Sequence, residues 1–197
     1  MRRSYNHRVS EGATSRLSNL LAALSLNLAE EGQVAMETGA GLKGAAATAL
    51  LALDEFLGGA HVGRLADALG LTHSGAVRLV DQLEHEGLVR RRAGADRRRV
   101  EITLTPSGRR RAGRARRARD AVVEDAIADL DAEQVASMEA LMEQLVRSRV
   151  ATRLARRHAG GTGPWWCRTC DFSACGRETG RCPAHVTGTA EPDGAGE

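Results

Sequence analysis

Apolar side chains recur every three or four residues along most of the chain, which is the period of amphipathic helices. A first stripe of leucines predicts a helix over residues 15–36, and residues 45–56, apolar on nearly every side, predict a buried helix. A third stripe over residues 135–150 predicts a long helix that starts at an Asp131–Gln134 capping box. The stripes at opposite ends of the chain leave apolar faces that a second copy would cover, so we expect a homodimer.

Between these helices lie two shorter helical segments that a tight turn joins. The first covers residues 62–69 and the second covers residues 73–86, each with one apolar face. Gly70 permits a sharp turn between them, and the hydroxyl of Thr72 is placed to cap the second helix. This spacing is typical of a helix-turn-helix motif, with an ordinary helical hairpin as the alternative. The segment that follows favours the motif.

That segment, residues 88–104, has the pattern of a two-stranded hairpin. Apolar and polar residues alternate over residues 100–104, which predicts a strand with one buried face. Small and turn-prone residues at 93–96 let the chain reverse, so Arg97 and Arg98 are expected at the tip. Helix, turn, helix and hairpin follow one another without a gap, which predicts a winged helix-turn-helix with the hairpin as its wing.

Positive charge is concentrated in the wing and the helix after it. That helix is expected from Pro106 to about Asp129, with Thr105 as its cap. Residues 88–119 contain thirteen arginines and two carboxylates, a net charge of +11 in a chain of net charge +3. A focused basic patch points to a polyanionic partner such as duplex DNA. The alternative for the helix arginines is a solvated face that reflects composition, since Lys43 is the chain's single lysine.

Three ordered stretches of the sequence resemble the MarR (multiple antibiotic resistance regulator) family of transcription factors. They are LADALGLTHSGAVRLVDQLEHEGLVRR at 65–91, the acidic-basic-basic triplet at 96–98 and LTPSG at 104–108. The resemblance implies a winged-helix homodimer whose outer helices interlock, with one helix in the major groove and the wing near the minor groove. It also implies a small-molecule pocket in many members. The DNA-binding residues that the resemblance implies are His73, Ser74, Arg78, Asp96, Arg97 and Arg98.

The expected function is a sequence-specific transcriptional regulator, and we favour a repressor released by a small-molecule or redox signal. The alternatives are a regulator that senses redox state through its cysteines and a winged-helix interaction module that does not bind DNA. The sequence has no Gly-rich phosphate loop, nucleophile elbow or His-Glu-x-x-His motif, which argues against an enzyme. It shows no targeting segment and no apolar run long enough to span a bilayer, so we expect a cytoplasmic protein without membrane contact.

The C-terminal region departs from the usual family pattern because it holds all four cysteines. Two, four and six residues separate Cys167, Cys170, Cys175 and Cys182. In a cytosolic protein, such cysteines are metal ligands or redox thiols more often than structural disulfides. Four thiolates suit a tetrahedral structural zinc ion, so zinc is the favoured cofactor. An iron–sulfur cluster and a thiol/disulfide switch are the alternatives, and His185 is a candidate substitute ligand.

Together these patterns predict a mainly α winged helix-turn-helix fold with a two-stranded wing, flanking dimerisation helices and a small cysteine-rich module. Within the winged-helix domain we place the helix-turn-helix at about 60–87, the wing at 88–104 and the dimerisation helices at about 14–36 and 106–157. The expected parts are a disordered lead (1–13), the winged-helix domain (14–157), a linker (158–164), the four-cysteine module (165–185) and a disordered tail (186–197).

Overall fold

The computed structural model of the chain describes residues 11–94 and 100–189. It confirms the predicted mainly α fold with a two-stranded antiparallel sheet. The elements in chain order are α1 (Glu11–Ala40), α2 (Ala45–Glu55), α3 (Val62–Leu69), α4 (His73–His85), β1 (Val89–Ala93), β2 (Val100–Leu104), α5 (Pro106–Ala126), α6 (Ala132–His158) and α7 (Pro183–Thr189).

The central element is α2, which is buried as its composition predicts. It is rich in alanine and leucine, and Leu50 and Leu51 are fully buried. It contacts α3, α4, α5 and β2, so one short apolar helix is shared by the helix-turn-helix and the helix that follows the wing. Leu65 of α3, Leu83 of α4 and Ile102 of β2 complete the centre of this core. Burying these side chains is the main term that stabilises the domain.

Helix α1 lies along α5 and continues to Ala40, four residues beyond its predicted end. Gly39 does not break it, because this glycine lies inside the helix at the contact with α5. A Cβ atom at Gly39 would lie 2.8 Å from the carbonyl oxygen of Arg114, so only glycine permits this approach of the two backbones. The helix ends instead at Gly41, whose φ of 64° is in the left-handed region.

The two strands pair in the register Val89 opposite Leu104 through Ala93 opposite Val100. Residues Ile102 and Leu104 are buried, as the alternation predicts. Val100 is 51% exposed although it has the same parity, because this end of the hairpin extends beyond the core. A single β-bridge between Ala60 and Ile102 joins the base of the wing to the chain just before α3.

Apolar side chains remain exposed on the outer helices. On α1 they include Leu17, Leu20, Leu21 and Leu24, and on α6 they include Val135, Leu141, Met142 and Leu145. A mostly apolar groove of about 470 Å³ lies between α1, α5 and α6, with Leu28, Val123, Ile127 and Met138 among its lining residues. In the described part of the chain, no helix is both long enough and apolar enough to cross a membrane.

The C-terminal segment packs against the winged helix, whereas the sequence suggested a separate module on a linker. Helix α6 runs to His158, and the chain then turns back toward α3. The amide of Trp165 donates a hydrogen bond of 2.8 Å to the carbonyl of Ala68. The predicted tail also begins too early, since residues 186–189 belong to α7, which packs on α6. Aromatic side chains of the C-terminal segment pack against an aromatic side chain of the winged helix, and the prediction of a free linker did not include this contact.

Candidate nucleic-acid interface

The amino-terminal end of α4 projects from the core on a tight turn. Gly70 has a φ of 68°, a left-handed conformation that glycine adopts without strain. The hydroxyl of Thr72 caps α4 by accepting a hydrogen bond of 3.1 Å from the amide of Gly75. Thr72 also lies within hydrogen-bond distance of the hydroxyl of Ser74, at 3.3 Å. The predicted turn and cap are therefore both present, and they fix the first turn of α4 in an exposed position.

One face of α4 is buried and the opposite face is exposed. Ala76, Val80 and Leu83 lie in the core, in agreement with the predicted inner stripe. The predicted DNA-binding residues His73, Ser74 and Arg78 are all exposed. Ser74 and Arg78 are one helical turn apart and so lie on the same face. Within the described residues, no carboxylate lies within salt-bridge distance of Arg78, so its guanidinium is available for an external anion.

The wing is attached to α4 through Arg91, a contact that the sequence analysis did not predict. The guanidinium of Arg91 lies 2.6 Å from a carboxylate oxygen of Asp81 and 2.6 Å from one of Glu84. The amide of Arg91 donates a further hydrogen bond of 2.9 Å to Glu84. These hydrogen bonds, with the charge of Arg91, hold the pKa of Glu84 below its usual value against an opposing effect of desolvation.

Strand alternation separates the three arginines of β1 into two roles. Arg90 and Arg92 are exposed, and Arg91 between them turns toward α4. The period-two pattern could have identified Arg91 as the inward residue, but the uniform run of arginine hid it. The predicted contact residues Asp96, Arg97 and Arg98 at the wing tip lie outside the described residues. Their roles stay predictions.

Much of the basic charge of residues 88–119 is used within the protein. The six arginines whose side chains contact the protein's own carboxylates or carbonyls are Arg91, Arg109, Arg111, Arg114, Arg116 and Arg119. Arg116 is the most enclosed of the ion-paired arginines, with 12% of its side chain exposed and Glu55 at 2.8 Å. Arg111 pairs with Glu86 at 3.3 Å. The alternative of a purely solvated arginine face is wrong for these residues, because their side chains contact other groups of the protein.

The four cysteines are free thiols. The pKa of Cys167 is affected most by Cys170, and the pKa of Cys175 is raised by burial with a further contribution from Cys182. The hydrogen bond from Cys170 lowers the pKa of Cys167 to about 7, whereas the same bond and burial raise the pKa of Cys170. Across residues 11–94 and 100–189, no group of three or more His, Cys, Asp or Glu side chains converges as a metal site. The predicted zinc remains a proposal.

The helix-turn-helix, its exposed second helix and the adjoining wing define a winged-helix fold of the DNA-binding class. A model of the MarR family matches residues 40–99, which contain this motif. No curated protein matches the chain at a significant level.

Solved structures of MarR proteins share the fold. One from Bacillus stearothermophilus is 26% identical, with a TM-score of 0.61, and the match covers 72% of this chain and 98% of that one. CouR from Rhodococcus jostii RHA1, bound to p-coumaroyl-CoA, is 26% identical with a TM-score of 0.52, over 69% of this chain and 95% of that one. A MepR mutant from Staphylococcus aureus, bound to an oligodeoxyribonucleotide, is 22% identical with a TM-score of 0.52. The match covers 67% of this chain and 96% of that one.

The family model and the shared architecture point the same way. The chain is similar to the MarR family in sequence over residues 40–99 and in fold over about 70% of its length. A further matched structure, 27% identical with a TM-score of 0.53, is named a transcriptional regulator.

Proposed function

We propose that the chain is a homodimeric, sequence-specific repressor that binds duplex DNA through α4 and the wing. The observation that carries the proposal is the exposed face of α4, where Arg78 has no carboxylate partner among the described residues and Ser74 lies one turn away. The MepR mutant bound to an oligodeoxyribonucleotide supports duplex DNA as the partner. Exposed Arg90 and Arg92 on the neighbouring wing would contact the phosphate backbone.

The primary test is binding to duplex DNA from upstream of the protein's own operon, followed by fluorescence anisotropy over a range of salt concentrations. Two-fold symmetry predicts a pseudo-palindrome with half-sites about 10 bp apart. With roughly 6–10 phosphates neutralised per dimer, affinity should fall on the order of a thousandfold or more between low and moderate salt. Absence of binding, or binding that salt does not weaken, would favour the interaction module instead.

Two arginines with different surroundings give a matched pair of variants. Arg92→Gln and Arg111→Gln remove the same charge, but Arg92 is exposed on the wing and Arg111 is paired with Glu86. Arg92→Gln should reduce the magnitude of the salt slope by about 1 per subunit, because one phosphate contact is lost. Arg111→Gln should change the slope less. Equal changes in slope would show that net charge alone matters, and that Arg92 makes no phosphate contact.

Sequence discrimination is assigned to α4. A side chain that reaches a base edge contributes about 1–3 kcal/mol of discrimination, whereas a phosphate contact contributes none. Arg78→Ala should therefore weaken binding to the operator more than binding to random duplex. Ser74→Ala should shift preference in the same assay. Equal losses on both DNAs for Arg78→Ala would limit that residue to phosphate contact.

A homodimer is supported by the apolar faces of α1 and α6. Leu141 is 59% exposed, and the neighbouring leucines of α6 and α1 are exposed in the same way. Contiguous apolar surface of this kind usually marks an interface. Sedimentation should give twice the chain mass for the wild type and a shift toward monomer for Leu141→Glu. Glu143 on the same helix, with 42% of its side chain exposed, allows Glu143→Gln as a control, which should stay dimeric. A monomeric wild type would contradict the proposal.

Release of the repressor by a small molecule is supported by the groove between α1, α5 and α6. Its volume of about 470 Å³ is within the range of ligand pockets, and its lining is mostly apolar. CouR, which is 26% identical to this chain, was solved bound to p-coumaroyl-CoA. We propose an apolar effector that enters the groove and lowers operator affinity. Thermal-shift screening with aromatic acids and their thioesters, followed by a promoter reporter, tests both effector and repression. Redox release through the cysteines is the alternative signal.

A further inference from the structure

The C-terminal segment of residues 165–182 is held on the winged helix by a short aromatic stack. Phe56 lies between Trp165 and Phe172, with ring centroids 5.9 Å and 5.3 Å apart and interplanar angles of 17° and 12°. The guanidinium of Arg64, on α3, covers Trp165 at 4.4 Å from the ring centroid. Two aromatic residues of the segment therefore contact both α3 and the end of α2.

A largely enclosed arginine makes the second attachment. Arg116 of α5 lies 2.8 Å from Glu55 and 3.7 Å from Asp171. It also donates a hydrogen bond of 3.3 Å to the carbonyl of Cys170, while Glu55 accepts one of 2.6 Å from the amide of Phe172. The segment thus connects α2, α3 and α5, the three elements that set the position of the helix-turn-helix relative to the outer helices.

Nothing in the secondary structure of the segment explains its defined shape. Residues 165–182 contain no helix or strand, and their backbone is a series of turns. Two of these turns need glycine in the left-handed region, Gly176 and Gly180, each with a φ of 70°. So small a segment has few apolar side chains of its own, and ordering its backbone is opposed by a large loss of entropy. A crosslink between the turns would supply the missing stabilisation.

The cysteines occupy the turns that a crosslink would have to join. Cys167 and Cys170 flank the first turn, in which the amide of Cys170 donates to the carbonyl of Cys167 at 3.1 Å. Cys175 precedes the Gly176 turn, and Cys182, which is 4% exposed, closes the loop. All four thiols therefore lie in one short run of turns, although no three of them converge on one point in the described residues.

The surroundings suit a centre with negative charge. Four thiolates and one Zn²⁺ carry a net charge of −2. Arg119 donates a hydrogen bond to the carbonyl of Thr169, next to Cys170, and the guanidinium of Arg177 lies over the ring of Phe172. These positive charges at the segment would offset the charge of the complex.

We propose that Cys167, Cys170, Cys175 and Cys182 bind one zinc ion, and that this ion closes residues 165–182 as a clasp that holds α3 to α5. Binding requires the four thiols to move together into one tetrahedron, with Zn–S distances of about 2.3 Å. Each thiol loses its proton to solvent, so one Zn²⁺ replaces four protons and no oxidant or reductant takes part. The clasp does not rest on DNA binding, and its test does not use DNA.

The first experiment measures metal in the full chain purified without air. We expect one zinc per chain, and Co²⁺ substitution should give the visible absorption of tetrahedral thiolate cobalt. Cys170→Ser and Cys175→Ser should lose the metal, whereas His185→Ala should keep it. Circular dichroism of each variant checks that the helical domain is still folded. Metal-free wild type, unchanged metal in either cysteine variant, or a brown protein with iron and sulfide would each overturn the zinc assignment.

The second experiment tests the clasp through Trp165 fluorescence. In a Trp166→Phe background Trp165 is the single tryptophan, and its indole is packed between Phe56 and Arg64. Removing zinc with a chelator should shift its emission to longer wavelength, and adding zinc back should reverse the shift. The Cys170→Ser variant in the same background should already show the shifted emission. Emission that does not respond to zinc in protein that binds it would overturn the clasp while leaving the metal site intact.

Discussion

The contact of α1 with α5 makes a sharp prediction at Gly39. A Cβ atom there would lie 2.8 Å from the carbonyl oxygen of Arg114 and 3.0 Å from the Cα atom of Ala115. Both neighbours are backbone atoms of a helix, so neither can move away without separating α1 from α5. Gly39→Ala should therefore destabilise the protein, although alanine is ordinarily the better helix former.

The size of the effect follows from two opposing terms. Overpacking a rigid contact costs about 1–3 kcal/mol, and replacing glycine by alanine within a helix gains up to ~1 kcal/mol. Near the end of α1 the gain is smaller, which leaves a net loss of about 1–2 kcal/mol. Gly32 on the same helix is the matched control, because its Cβ would lie 3.6 Å from Cγ of Arg119, an ordinary contact with a side chain. Gly32→Ala should be neutral or stabilising by up to ~1 kcal/mol.

Urea unfolding followed by circular dichroism measures both variants, at one protein concentration so that association does not change the comparison. The midpoint should fall for Gly39→Ala and stay or rise for Gly32→Ala, with equal slopes in all three proteins. If the two variants move the midpoint in the same direction and by similar amounts, the close approach at Gly39 is absent and the reasoning fails.

Two further predictions concern the wing and the start of α5. The amide of Arg91 holds the pKa of Glu84 below 4.5, so the stabilisation is complete above that pH and is lost as pH falls through the lower folded value. Urea titrations from pH 7 to pH 3 should show weaker acid destabilisation for Glu84→Gln than for the wild type, and equal acid sensitivity would contradict this. Thr105→Ala removes the hydroxyl that accepts a hydrogen bond from the amide of Gly108 and should lower the free energy of unfolding by about 1 kcal/mol. An unchanged melting midpoint would show that this cap does not stabilise α5.

Local signals explain why the DNA-binding half of the fold could be predicted from the sequence. The turn at Gly70, the cap at Thr72 and the start of α5 at Pro106 each depend on a few adjacent residues. The buried face of α4 follows from one helical period. Elements that adjacent residues determine in this way can be predicted without knowing which distant residues pack against them.

Features that depend on distant parts of the chain could not be predicted in the same way. Gly39 resembles a helix breaker until α5 is placed against it. Trp165 and Phe172 suggest a separate module until Phe56, more than one hundred positions earlier, is found between them. The exposure of Val100 follows from where the core ends rather than from strand alternation. In each case the deciding neighbour is remote in sequence, and a one-dimensional pattern does not contain it.

The arginine run shows why charge summed along a sequence overstates what an interface presents. An arginine that pairs with a carboxylate of the same protein adds nothing to the long-range field, because the two charges nearly cancel at a distance. Arg116 lies between Glu55 and Asp171, and these ion pairs join α5 to α2 and to the C-terminal segment. Arg91 lies between Asp81 and Glu84, and these ion pairs join the wing to α4. In the proposed complex with DNA, the long-range field would come from the exposed arginines of the wing and α5. Specificity would rest on the exposed side chains of α4, the helix to which Arg91 attaches the wing.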